Sequence, residues 1–103
     1  MNLQENIRRI KEEFKRKRPT IYENIDQSSA VIEFVYFHKS DSDIPVAASF
    51  ILTDDEILAH VSPSSGRSTI IYHGRNAAHA AVECIAYIHQ FFKQAAKTQK
   101  LMG

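Results

Sequence analysis

Between Val31 and His73 the chain carries four runs of β-branched and aromatic residues, separated by short polar turns. Such residues fit the pleated surface of a sheet, whereas the Asp, Ser and Gly residues between the runs favour turns. Because the connections are short, successive strands should pair antiparallel as a meander. The pattern predicts strands at about 31–38, 45–53, 56–62 and 68–73.

A helix is predicted on either side of this sheet region. The apolar residues of the first segment follow the spacing of a helical stripe: Leu3, Ile7, Ile10 and Phe14. Pro19 disfavours helical geometry in the residue before it, so this basic helix should occupy 2–17. Asn76 can cap the free N–H groups of a second helix, predicted over 76–97.

These elements predict an α+β fold in one domain, residues 1–103. The order is α-β-β-β-β-α, a four-strand antiparallel meander packed with an N-terminal helix and a long C-terminal helix. A chain of 103 residues has the usual size of one domain. Residues 20–30 fit either a connector or a short irregular strand.

Cysteine use and hydropathy bear on the compartment. Cys84 is the only cysteine, so an internal disulfide is impossible and nothing points to an oxidising compartment. No stretch approaches the roughly 18 apolar residues of a spanning helix, and the charged N-terminal segment lacks the apolar run of a signal peptide. We therefore expect a cytoplasmic protein with no membrane association.

The faces of the sheet follow from the register of the hairpins, because cross-strand partners point to the same side. We predict three cross-strand pairs: Phe37 with Val46, Leu52 with Ile57, and Val61 with Thr69. Under this register both faces of the sheet are largely apolar. An antiparallel sheet with one solvated face should instead alternate between apolar and polar residues.

The second helix also has a wide apolar arc, formed by Ala77, Ala81, Ile85, Ile88 and Phe92 with Ala80, Cys84, Tyr87 and Phe91 beside them. This arc and both sheet faces need to be covered. A two-fold homodimer and contact with another protein would cover them. The alternative is a monomer with one helix on each face. The predicted protein interface consists of Ile32, Phe34, Tyr36, Leu58, Ile70, Tyr72, Tyr87 and Phe91.

Charge is segregated along the chain although the formal net charge is only +1. Residues 1–18 contain seven basic and three acidic side chains. Residues 19–92 contain three basic and nine acidic side chains, and residues 93–103 contain three lysines. The basic side chains before residue 19 can neutralise phosphates. If Phe34, Tyr36 and Tyr72 are exposed on the sheet, nucleic-acid bases can stack on them. Candidate nucleic-acid or anion contacts are Arg8, Arg9, Lys11, Lys15, Arg16, Lys17, Arg18, Arg67 and Arg75.

The residue pattern gives little support for catalysis or metal binding. The possible ligands lack the spacing of known metal motifs: His60, His73, His79, Glu83, Cys84 and His89. Cys84 lies in mid-helix among small and aliphatic residues, which is typical of a core position. We expect no catalytic residues, no metal site and no cofactor.

The sequence therefore favours a non-enzymatic protein-protein interaction or regulatory module, such as a small adaptor, regulator or inhibitor, that self-associates. This function is supported by the apolar surface of the predicted elements, which is larger than those elements can cover themselves. The alternative function is nucleic-acid binding through the basic N-terminal helix.

Overall fold

The computed structural model describes residues 2–37, 45–63 and 67–102, with backbone alone at Phe37 and at 95–102. A helix is followed by five antiparallel strands in one sheet and then by a long helix, which confirms the α+β class. In the described part of the chain the strands lie in chain order and number five rather than four. The elements are α1 (Leu3–Phe14), a 3-10 turn (Lys15–Lys17), β1 (Thr20–Ile25), β2 (Ser29–Phe37), β3 (Pro45–Thr53), β4 (Ile57–Pro63), β5 (Thr69–Gly74) and α2 (Ala77–Met102).

The additional strand is β1. It lies within residues 20–30, for which the sequence fits either a connector or a short irregular strand. It pairs antiparallel with β2, from Thr20 opposite Val35 to Ile25 opposite Ala30. A tight turn joins the two strands, and the N–H of Asp26 donates to the carbonyl of Ser29 over 2.8 Å. All six residues of β1 are exposed. An edge strand of this kind needs no buried residues, so the hydrophobic pattern that reveals central strands is weak here.

The bounds of α1 follow from local chemistry. The side-chain oxygen of Asn2 accepts hydrogen bonds from the N–H groups of Gln4 and Glu5, which caps the first turn. The 3-10 turn closes at Lys17, and Arg18 adopts the left-handed conformation with φ 48° directly before Pro19. The helical segment therefore ends at Lys17, as its proline neighbour predicts.

The second helix begins where its cap predicts and extends further than expected. Asn76 Oδ1 accepts from the N–H of His79 over 2.9 Å, and its carbonyl accepts from the N–H of Ala80 over 3.0 Å. The backbone remains helical to Met102, beyond the predicted end at residue 97.

The register of the first predicted hairpin is wrong by one residue. Tyr36, not Phe37, lies opposite Val46. The pairs Leu52 with Ile57 and Val61 with Thr69 are confirmed. Because side chains alternate along a strand, a shift of one residue exchanges the two faces of β2.

Both helices pack on the same face of the sheet. Helix α1 contacts β2 and β3, α2 contacts β4 and β5, and the helices contact each other. The alternative of one helix on each face is therefore wrong, and α1 covers part of the apolar arc of α2. The buried apolar core consists of Leu3, Ile7, Ile10, Phe14, Ala30, Ile32, Phe34, Val46, Ala48, Phe50, Leu52, Ile57, Ala59, Val61, Ala77, Ala80, Ala81, Cys84 and Ile88.

Phe14 joins α1 to the sheet. Its ring stacks on that of Phe34 with centroids 4.1 Å apart and meets Phe50 edge to face at 5.6 Å. All three side chains are fully buried. Aromatic pairs at these separations stabilise a core beyond the area they bury. The basic turn that follows is therefore anchored to the core through Phe14.

Tyr36 lies beside this cluster, and its hydroxyl is buried without a hydrogen-bond partner among the described residues. Burial raises the pKa of that hydroxyl above its ordinary value. An unpaired buried hydroxyl costs about 1–3 kcal/mol, so Tyr36→Phe should raise the free energy of unfolding by about 1 kcal/mol. Urea unfolding measures the change. A loss of stability would show that the hydroxyl has a partner in solution.

Candidate interaction surfaces

The side of the sheet away from the helices is here called the outer face. Cross-strand partners define it, and its central row runs from Tyr22 through Glu33, Ser49 and His60 to Ile70. The neighbouring positions add Val31, Val35, Ala47, Ile51 and Leu58. Within the described residues, neither helix covers this face.

The outer face mixes polar residues, including Glu33 and His60 in its central row, with apolar residues that are open to solvent. Ile70 is 67% exposed, Tyr22 61% and Ile51 40%. Glu33 is the one carboxylate that the described strands place on this face. Monomeric proteins rarely leave large contiguous apolar patches uncovered, and such patches mark interaction sites.

The predicted protein interface is divided between the two sides of the sheet. Ile32 and Phe34 are fully buried beneath the helices, so their assignment to an interface is wrong. Their displacement follows from the one-residue error in the register of β2. The other positions divide as follows: Leu58 and Ile70 lie on the outer face, Tyr36, Tyr72 and Phe91 pack against the core, and Tyr87 is partly exposed on α2.

A second surface lies between α1 and β1 and is here called the β1 groove. It has a volume of about 570 Å³. Its apolar lining comes from Ile7, Phe14, Pro19 and Ile21, of which Ile21 is 45% exposed. Its polar lining is Gln4, Arg8, Lys11, Glu12, Lys15 and Arg18. The groove exists because the two helices cover β2 to β5 and stop short of β1.

Some of the cations at the β1 groove are already paired. Arg8 donates to Glu5 and Glu12 at 2.9 Å each, and these carboxylates raise the pKa of its guanidinium. Lys11 forms an ion pair with Glu23 of β1. Lys15 and Arg18 have no carboxylate partner among the described residues. Their charge is therefore available to a ligand.

The other predicted nucleic-acid contacts do not join one surface. Arg16 and Lys17 line a groove beside α2 with Val82 and Ile85. Arg9 and Arg75 line a third groove, at the N-terminus of α2. Arg67 precedes β5 while Arg75 follows it, so these two lie at opposite ends of that strand.

The aromatic residues expected to stack bases are not available as a platform. Phe34 is fully buried and Tyr36 packs on Phe14. The Tyr72 hydroxyl accepts from the N–H of Asn76 over 2.9 Å, and its ring packs on the core. Base stacking needs open aromatic faces beside cations, so this part of the nucleic-acid hypothesis is wrong.

Cys84 is fully buried in α2. Burial, and to a lesser extent the neighbouring carboxylate of Glu83, raise the pKa of its thiol to about 12. The thiolate is the reactive form of cysteine, and a thiol with this pKa is protonated at neutral pH. Its surroundings therefore fit a core residue.

Two of the described histidines each contact one carboxylate. His73 Nε2 lies 2.8 Å from Glu56 Oε2, and His79 Nε2 lies 3.1 Å from Glu83 Oε1. No group of three possible metal ligands lies close together within the described residues.

Among the residues that the structure describes, His60 makes the one contact that resembles part of a catalytic arrangement. Its Nδ1 lies 2.7 Å from Ser68 Oγ. A serine nucleophile needs a base that a third group orients. Among the described residues, the direct strand neighbours of His60 are Ser49 and Ile70, and neither carries a carboxylate.

Sequence reasoning missed two groups of surface residues. Val31 and Val35 were placed on the wrong face with the rest of β2, and Ile51 was placed correctly but left out of the interface. Tyr22 and Ile21 were missed because their strand was not assigned. The available signal for that strand is its content of β-branched and aromatic residues at positions 20, 21, 22 and 25.

Comparison with known proteins adds no relative: the chain matches no protein-family model, no curated protein and no solved structure. Neither helix has an apolar stretch long enough to cross a membrane within the residues described. The fold and surfaces define a two-layer α+β domain with an open sheet face.

Proposed function

We propose that this chain is a non-enzymatic interaction module that self-associates through the outer face of its sheet. The observation that carries the proposal is the uncovered apolar surface around Tyr22, Ile51 and Ile70. Burying apolar surface is the dominant favourable contribution to protein association. A role as a small adaptor, regulator or inhibitor would use this surface.

The dimensions of the outer face suit a modest interface. Strands of six to nine residues at about 3.3 Å per residue run about 20–30 Å, and five strands spaced about 4.8 Å apart span about 20 Å across. Two such faces together would bury about 1,000 Å², near the lower end of specific interfaces. A second copy fits because the near absence of charge avoids repulsion between identical faces. We expect dimerisation in the micromolar range.

Ile51→Lys tests the proposal. Ile51 lies between Val31 and Leu58, and a lysine there would place a charge within the buried interface. We expect the dissociation constant of the dimer to rise at least tenfold, measured by sedimentation equilibrium from about 1 to 200 µM protein.

Val82→Lys is the matched control. Val82 is also an aliphatic residue, 51% exposed, but it lies on α2 on the opposite side of the molecule. This variant should dimerise like the wild type. Circular dichroism confirms that both variants fold. A wild-type protein that stays monomeric throughout, or equal effects of both lysines, would contradict the proposal.

A further inference from the structure

The two edges of the sheet are protected to different degrees. At one edge, β5 contacts α2 and its ladder contains an irregularity near Ala59 and His60. At the other edge, every residue of β1 is exposed, and the strand contains no proline or lysine. Within the described residues β1 is paired on one side only, and its one charged residue, Glu23, is held by Lys11 of α1. Natural proteins usually blunt an edge with proline or lysine or cover it. An unprotected edge is a template for an incoming strand.

The β1 groove lies directly beside this edge. Ile21, Glu23 and Ile25 point to the helix side of β1, since their partners on β2 are core residues. A strand added to β1 would place alternate side chains on the same side, next to Ile21 and the apolar lining of the groove. Backbone hydrogen bonds would supply affinity, and the groove would select side chains.

Charge determines the kind of strand that fits. The groove is lined by four cations and one carboxylate. Two of the cations are paired with Glu5, Glu12 and Glu23, whereas Lys15 and Arg18 have no carboxylate partner among the described residues. A second copy of this chain would bring the same positive groove to the edge, so that like charges would repel. An acidic strand would meet opposite charge.

We infer that the edge of β1 and the β1 groove bind an extended acidic segment of another protein, which adds a sixth strand to the sheet. Apolar side chains of that segment enter the groove, and its carboxylates meet Lys15 and Arg18. This site is separate from the outer face, so its loss leaves dimerisation unchanged.

The test is an NMR titration of the ¹⁵N-labelled protein with a synthetic peptide that repeats Val-Thr-Glu-Thr, blocked at both ends, so that its valines and glutamates share the side of the strand that faces the groove. We expect saturable shifts of the amide signals of β1 and of residues 15–18. A peptide with lysine in place of glutamate, and one N-methylated at alternate residues, should bind at least tenfold more weakly. No shifts in β1 at millimolar peptide would overturn the proposal.

The basic run supplies a matched pair of variants. Lys15→Glu with Arg18→Glu changes the charge of the β1 groove, whereas Arg16→Glu with Lys17→Glu makes the same net change at the groove beside α2. We expect at least tenfold weaker peptide binding in the first variant and less than about twofold in the second. Equal weakening of peptide binding in the two variants would show that binding depends only on the net charge of the protein, and would overturn the proposed site.

Two further measurements keep the result interpretable. If the glutamate variants unfold, the corresponding glutamines replace them, with the same expected ranking. Dilution of the Ile51→Lys variant, in which the outer face is weakened, should leave the β1 signals in place. Shifts of those signals on dilution would show that a second copy of the chain occupies the edge, and would overturn the acidic partner. Dimerisation through the outer face is tested separately, by the dissociation constants of Ile51→Lys and the wild type.

Discussion

Phe14→Ala should lower the free energy of unfolding by about 3–5 kcal/mol, the usual cost of removing a buried phenylalanine ring. The ring is fully buried, stacks on Phe34 and meets Phe50 edge to face. The substitution therefore removes contacts between α1 and two central strands. Because small domains have about 5–15 kcal/mol of stability in total, the variant should be largely destabilised. Urea unfolding gives the difference.

Val82→Ala is the control, since an exposed helical side chain should cost less than about 0.5 kcal/mol. The result also bears on the proposed peptide site. Phe14 lines the β1 groove and anchors the basic turn, so the groove depends on the attachment of α1. A loss below about 1 kcal/mol would mean that α1 is loosely held.

The elements were largely predictable from the sequence because they depend on local patterns. The stripe of Leu3, Ile7, Ile10 and Phe14 predicts α1, and all four residues are buried. Asn76 marks the start of α2 through its side-chain cap. Such signals involve residues close in sequence, so the physics that forms them can be evaluated one segment at a time.

The surfaces were harder to predict because they depend on register and on helix placement. A shift of one residue between Tyr36 and Val46 decides which side chains of β2 are buried, and the apolar residues on both of its faces gave no clear preference. The exposed groove exists only because both helices share one face and leave β1 uncovered. No local pattern specifies that arrangement, so the β1 groove could not be found from the sequence alone.

Cys84 should make the protein sensitive to alkaline pH. Its thiol has a pKa of about 12 in the folded state against an ordinary value of 9.0. Below pH 9 both states hold the proton, so its full contribution to stability is present. Above about pH 9 the unfolded chain releases the proton while the folded chain retains it, so stability falls as pH rises towards 12.

The expected slope is about 1 kcal/mol per pH unit between about pH 10 and 11, since one pKa unit corresponds to about 1.4 kcal/mol. Urea unfolding of the wild type and of Cys84→Ala at several pH values tests this. The alanine variant removes the thiol but keeps every other titrating group, including Tyr36, so it should lose less stability per pH unit. The comparison uses slopes because the small cavity left by alanine lowers stability equally at every pH. Parallel slopes would show that the Cys84 thiol ionises in the folded protein as readily as in the unfolded chain, which requires water or a cation to reach a side chain that is fully buried in the structure.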